Sequence, residues 1–228
     1  SRNPINSIFS FSLRFGVGTL ERPILEQTAE YLNLLGTKEA SFEEFKNQAQ
    51  KIGTTIDTFT DRNYFGFSVK GLDDYFDASV ALLETFINTM RPDDDKLKII
   101  VETTKADRDI EDAEPSTVGQ ALLGKAMWSD RSRFLNRLSI DQIAKLSSDD
   151  YIKSVQEVLN YEVELFYVGQ LSKQEVMDRL NTERLFASSL KASLSPKVQN
   201  PEFPDEPLIY YIHDESLVQS QIYFGFPG

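Results

Sequence analysis

The chain has 228 residues, of which 40% are hydrophobic and 26% charged, which marks a globular sequence long enough for one or two domains with a real core. A formal net charge of −12 argues against nucleic acid and against an anionic membrane surface, since both call for basic patches. No cysteine is present, so disulfides and thiolate metal sites are excluded, and a single histidine, His213, leaves a hydrolase triad one possible base and a His-based zinc site short of ligands.

The predicted elements begin with SIFSFSLRFGV, in which Phe9, Phe11, Leu13 and Phe15 alternate with Ser10, Ser12, Arg14 and Gly16, the pattern of a half-buried strand. After a loop with Pro23, Ile24 to Leu35 reads as a helix that places Leu25, Thr28, Leu32 and Leu35 on one face, stopped by Gly36. SFEE at 41–44 is a capping box, followed by the stripe Phe42, Phe45, Ala49 and Ile52 and by Gly53. TTIDTFT and YFGFSVK read as a hairpin around TDRN. GLDDYF is expected to open a helix through Met90, with Leu72, Tyr75, Phe76, Leu83, Phe86 and Ile87 facing the core, broken by Pro92. Asp93, Asp94 and Asp95 stand at the next helix start, where the dipole favours anions, and that helix is expected to end near Ala113, before Pro115.

Residues 116–128 read as a further helix. SIDQ at 139–142 and SKQE at 172–175 are capping boxes, with a helix around Tyr151 to Leu159 and a strand, YEVELFYV, between them. The Ser- and Pro-rich segment from 188 to 207 reads as a linker, and LIYYI and LVQSQIYFGF beyond it alternate as strands. Strands separated by runs of helix predict an α+β fold, a mostly antiparallel sheet covered by helices. SRNPINSIF does not read as a charged n-region followed by an apolar h-region, and no apolar run reaches the roughly 20 residues of a membrane helix. The compartment stays open between bacterial periplasm and cytoplasm.

Several phrases, in order, carry a resemblance over residues 7–185: FSLRFGVGTLER, YLNLLGT, the long run from SFEEF through GLDDYFDASVALLETFI, RDIEDAEP, and ELFYVGQLSKQEV. The chain resembles one domain of the pitrilysin, insulysin and mitochondrial processing peptidase family of zinc metallopeptidases. In active members a helix carries H-x-x-E-H, in which two His one turn apart bind zinc and the Glu activates water. A third ligand, a Glu, follows about 75 residues later. Aligned on Gly36-Thr37, Gln27 and Tyr31 occupy the His positions, Glu30 the Glu position, and Glu102 lies near the third-ligand position. Gln is a poor zinc ligand and Tyr rarely one.

The resemblance therefore implies a noncatalytic domain, residues 1–187, without metal or catalytic residues of its own. Residues 188–207 would be a linker, and 208–228 the opening strands of the next homologous domain, cut short. Zinc is expected in a catalytic domain or subunit of the same family, the expected partner, and the substrate is expected to be a peptide or unfolded protein enclosed in a chamber. The alternative is a structural or assembly subunit related to respiratory-complex core proteins, with no peptidase role. An independent enzyme using carboxylates alone finds no support in any spacing.

Bland readings stand beside these. Glu30 is expected to be a solvated helix carboxylate. Glu102, Asp107, Asp109, Glu111 and Asp112 read as a solvated acidic face rather than a cation site. His213 reads as a surface residue, and Trp128 and the phenylalanines of 9–15 as core. Arg131, Arg133 and Arg137 fall outside the family's substrate-binding Arg/Tyr phrase, which is absent. The alternating segment at 217–226 could accept a peptide by strand addition or pair with its own sheet.

Overall fold

The structure, a computed structural model, describes residues 6–182, 194–198, 200–201, 206–213, 215 and 220–225. Four strands, β1 (Ile8–Phe15), β2 (Thr55–Thr60), β3 (Phe65–Leu72) and β4 (Val163–Val168), form one antiparallel sheet in the order β2-β3-β1-β4. Eight helices accompany it among the described residues: α1 (Leu25–Leu32), α2 (Phe42–Lys51), α3 (Phe76–Thr89), α4 (Leu97–Ala113), α5 (Pro115–Trp128), α6 (Ile140–Ile143), α7 (Ser148–Val158) and α8 (Lys173–Thr182). The fold is α+β, as the alternation of periods predicts.

The alternation in β1 sets the layers. Phe9, Phe11, Leu13 and Phe15 are all buried, and so are Phe65, Phe67 and Val69 beside them on β3. Helix α3 lays Phe76, Ser79, Val80, Leu83 and Phe86 toward this face at helical spacing. Phe76 is the hub: its ring meets Phe9, Phe11 and Tyr167 edge-on, at centroid distances of 5.1, 6.2 and 5.6 Å. Two buried hydroxyls, Thr54 and Ser79, meet at 2.6 Å and pin α3 beside the start of β2.

Local chemistry sets the ends of the elements. The three predicted capping boxes form, at Ser41/Glu44, Ser139/Gln142 and Ser172/Glu175. A fourth, Ser147 with Asp150, starts α7 three residues before the predicted boundary. Gly53 closes α2 at φ +61°, a conformation that suits glycine.

Two predicted boundaries are corrected. The first helix ends at Leu32, with Asn33 as its C-cap, and not at Leu35 before Gly36, because Leu34 and Leu35 bond three residues back in a tighter turn. GLDDYF does not open α3: Gly71 and Leu72 still pair with Phe9 and Ile8, Asp73–Tyr75 make a single 3-10 turn, and the helix starts at Phe76. Leu72 and Tyr75, expected in the core, are 43% and 44% exposed: Leu72 falls on the outward face of β3 with Ser68 and Lys70, and Tyr75 lies in the 3-10 turn.

Part of the 188–207 linker and of the 208–228 segment lies outside the described residues. Residues 208–213 and 220–225 join no strand. An alternating sequence becomes a strand only where a neighbouring strand supplies its hydrogen bonds. Leu194 bridges to Tyr161, and Lys197 bonds through its backbone N–H to the Gly16 carbonyl and through its ammonium to Glu21 at 2.8 Å.

Truncating the hub tests this packing. Phe76→Ala is expected to lower unfolding free energy by about 3–5 kcal/mol in urea titration, the range for a buried aromatic. A loss below about 1 kcal/mol would contradict the aromatic hub.

Candidate functional site

Helix α1 is an amphipathic element with an unusual share of polar groups turned inward: Gln27, Thr28 and Tyr31 are all fully buried. Thr28 satisfies its hydroxyl on the Ile24 carbonyl one turn back, at 2.8 Å. Tyr31 reaches across to the loop before α4. Its hydroxyl accepts from the Asp93 N–H at 2.8 Å and donates to the Asp93 carbonyl at 3.2 Å. Its ring stacks on Tyr151 of α7, with centroids 4.8 Å apart. Burial pushes both phenols up, and for Tyr151 the Glu30 carboxylate adds to the effect.

Gln27 and Glu30 are less well served. Gln27 Nε2 donates to Glu26 Oε2 at 3.3 Å, while its Oε1 is buried without a protein partner. Glu30 Oε2 is also buried without one. The Glu30 carboxyl is pushed up from 4.5 to about 7, first by burial, then by the Glu26 and Asp107 carboxylates, with Arg108 opposing. Glu30 is therefore not the solvated surface carboxylate expected: packing around α1 removes it from water, and the acidic neighbours disfavour its charge.

The α4 side chains that act on Glu30 are Asp107 and Arg108, not Glu102. Ile100 and Thr104 are the buried positions of α4, so Glu102, two residues from each, turns roughly 200° away. Its carboxylate is 65% exposed and pairs with Lys98 at 3.5 Å. The structure thus groups Gln27, Glu30 and Tyr31 and leaves Glu102 apart. These four positions do not fit zinc: the Tyr31 oxygen is engaged on both sides by Asp93, Gln27 offers an amide, and Glu102 faces solvent. Among the described residues no three His, Asp or Glu side chains are placed to hold a metal ion.

A cleft of about 490 Å³ opens between α1 and the outer side of β2, with Glu26, Glu30 and Asn33 on one wall, Thr58, Phe59 and Thr60 on the other, and Arg62 and Arg133 nearby. Both signs of charge line it. Arg62 also covers the buried Trp128 ring, with its guanidinium carbon 5.4 Å from the centroid. The acidic face of α4 is dispersed: Glu111 pairs with Arg137 at 2.5 Å and Arg133 at 3.7 Å. His213 is exposed beside Tyr211, 3.1 Å from its hydroxyl.

Fold and site together define an α+β domain in which helix α1 turns Gln27, Thr28 and Tyr31 inward beside the sheet. The chain belongs to the insulinase family, peptidase family M16, whose model matches residues 28–141. No curated protein sequence matches the chain. Among solved structures, the fold is similar to a peptidase M16 inactive domain from Pseudomonas fluorescens, with TM-score 0.70 and 16% identity over 91% of this chain and 51% of that one. It is similar to the ferredoxin protease FusC, solved as a mutant in complex with Arabidopsis ferredoxin, with TM-score 0.66 and 11% identity over 86% and 22%. A chain of complex III from Candida albicans matches with TM-score 0.61 and 15% identity over 90% and 47%. This chain spans about half the length of the first and third of these and about a fifth of the second.

Glu30 gives the site a pH signature. A folded-state pKa raised above the unfolded one favours the fold below about pH 4.5, and that contribution is lost as pH rises through about 7. Glu30→Gln, neutral throughout, is expected to exceed the wild type in stability at about pH 8 by about 1–2 kcal/mol, a figure reduced for solvent screening in the open cleft. The gain should vanish near pH 4; urea titrations at both values check this, and a difference independent of pH would contradict it.

Proposed function

We propose that the chain is a noncatalytic domain of a zinc metallopeptidase, forming part of the wall of a peptide-enclosing chamber and supporting substrate binding by a catalytic half that carries the zinc. The observation that supports this reading is the use of the Tyr31 hydroxyl, at what the alignment on Gly36-Thr37 makes the second His position. On that alignment a tyrosine stands in for the histidine, and its oxygen is used up on the Asp93 backbone. Such a helix keeps its place against the sheet and cannot present two imidazoles to one ion.

The wall role follows from what the domain exposes. The cleft along β2 offers carboxylates from Glu26 and Glu30 and guanidinium groups from Arg62 and Arg133, which suit an extended peptide of mixed charge. FusC, with its bound ferredoxin, supplies a precedent within the fold for a protein substrate. Residues 1–187 would be this domain, 188–207 a connection, and 208–228 the first strands of a following homologous domain, whose sheet would supply strand partners to the described residues 208–212 and 221–225. The partner is a catalytic domain or subunit of the same family.

Elemental analysis and cleavage assays test the reading together. After dialysis against equimolar zinc and then buffer, the chain should retain well under one equivalent and leave a quenched fluorescent peptide intact. One tightly held equivalent together with chelator-sensitive cleavage would overturn it.

A further inference from the structure

Among the described residues the β2 strand is an edge, with β3 on one side only. Along an antiparallel strand, residues alternate between exchanging both backbone bonds with their neighbour and pointing both groups away from it. Thr58 points away from β3, and both of its backbone groups are taken by one side chain. Its N–H donates to Asn33 Oδ1 at 2.7 Å, and its carbonyl accepts from Asn33 Nδ2 at 2.8 Å. The carboxamide has the same donor and acceptor as a peptide unit, and here it closes the same two-bond ring that a residue of a fifth strand would close.

We infer that Asn33 is a side-chain plug on the β2 edge, sealing it against strand addition. Strand addition needs outward N–H and C=O groups in series, at every second residue, about 7 Å apart. On β2 that series is Ile56, Thr58 and Thr60, and Asn33 removes its middle member. Ile56 is itself buried, which leaves Thr60 alone at the far end, and a single outward residue is not a series.

The geometry is built in rather than incidental. Asn33 is the C-cap of α1, where the helix no longer needs a good helix former and the side chain is free to reach sideways. The bonded pair lies 25 residues apart and is part-buried. An amide delivered by a packed helix also outcompetes a free peptide, because it loses no translational freedom on pairing. The consequence is chemical selectivity: a ligand in the cleft meets side chains and not a backbone ladder. This inference concerns the chain alone and does not rest on the proposed role in a peptidase.

Residue-resolved amide exchange and a peptide titration on the 228-residue protein test it. In the wild type, the Thr58 amide should exchange as slowly as those of Asp57 and Phe59, which face β3. Asn33→Leu keeps the side-chain shape and removes both bonds, so Thr58 exchange should accelerate about tenfold or more with Asp57 and Phe59 unchanged. A synthetic copy of residues 65–72, the strand that β2 already pairs with, should then shift the β2 amides of the variant and not of the wild type. The inference is overturned by a Thr58 amide that exchanges like an unstructured one in the wild type, by an unchanged rate in the variant, or by a peptide that binds both proteins or neither. Should Asn33→Leu not fold, the wild-type exchange rate decides alone.

Discussion

One phenol holds the site together. The Tyr31 hydroxyl makes both backbone bonds to Asp93, and its ring stacks on Tyr151, so a single side chain ties α1 to the approach of α4 and to α7. Each bond contributes on the order of 1 kcal/mol net, and losing the phenol would strand a backbone N–H and carbonyl at greater cost. The resemblance to zinc peptidases implies that a metal ion links the corresponding helices in active relatives. Here the link is a hydrogen-bonded ring, which needs no ion and occupies the phenol oxygen on both sides.

The tie has a side effect on α1. The helix stays fully packed, so the polar groups at the other motif positions remain in a dry setting without full compensation: Gln27 Oε1 and Glu30 Oε2 lack protein partners, and Glu30 is held toward its neutral form. A shifted carboxylate in a cleft ordinarily suggests acid–base work. Here it follows from burial against the packed α1 and from the Glu26 and Asp107 carboxylates beside it. The neighbouring cation is Arg108, whose guanidinium also donates to the Leu138 carbonyl at 2.7 Å.

Much of this was legible before any coordinates. The period-two run in β1 and the capping boxes at Ser41, Ser139 and Ser172 specify local structure through nearest neighbours, and the structure keeps them. Leu25, Thr28 and Leu32 of α1 are buried as their spacing implies, while Leu35, expected in the same helix, is buried beyond its end at Leu32. Glu102 shows where counting along the chain misleads: a distance of about 75 residues locates a helix but not its face, which is set at 100° per residue by Ile100 and Thr104. The burial of Glu30 and the Asn33–Thr58 ring depend on contacts between elements, for which a linear pattern carries no signal. GLDDYF failed for a related reason: strand pairing with Ile8 and Phe9 overrode a locally helical composition.

The central claim is that α1 keeps the frame of a metal helix while the surrounding structure no longer accommodates the metal. Zinc calorimetry on the double variant Gln27→His, Tyr31→His tests it most directly, because it restores both imidazoles and nothing else. With Glu102 turned to solvent, Arg108 beside the motif and the Asp93 tie broken, the variant should be less stable than the wild type and show no stoichiometric zinc binding at a Kd below about 1 μM. One equivalent bound more tightly than that, with stability undiminished, would contradict the account.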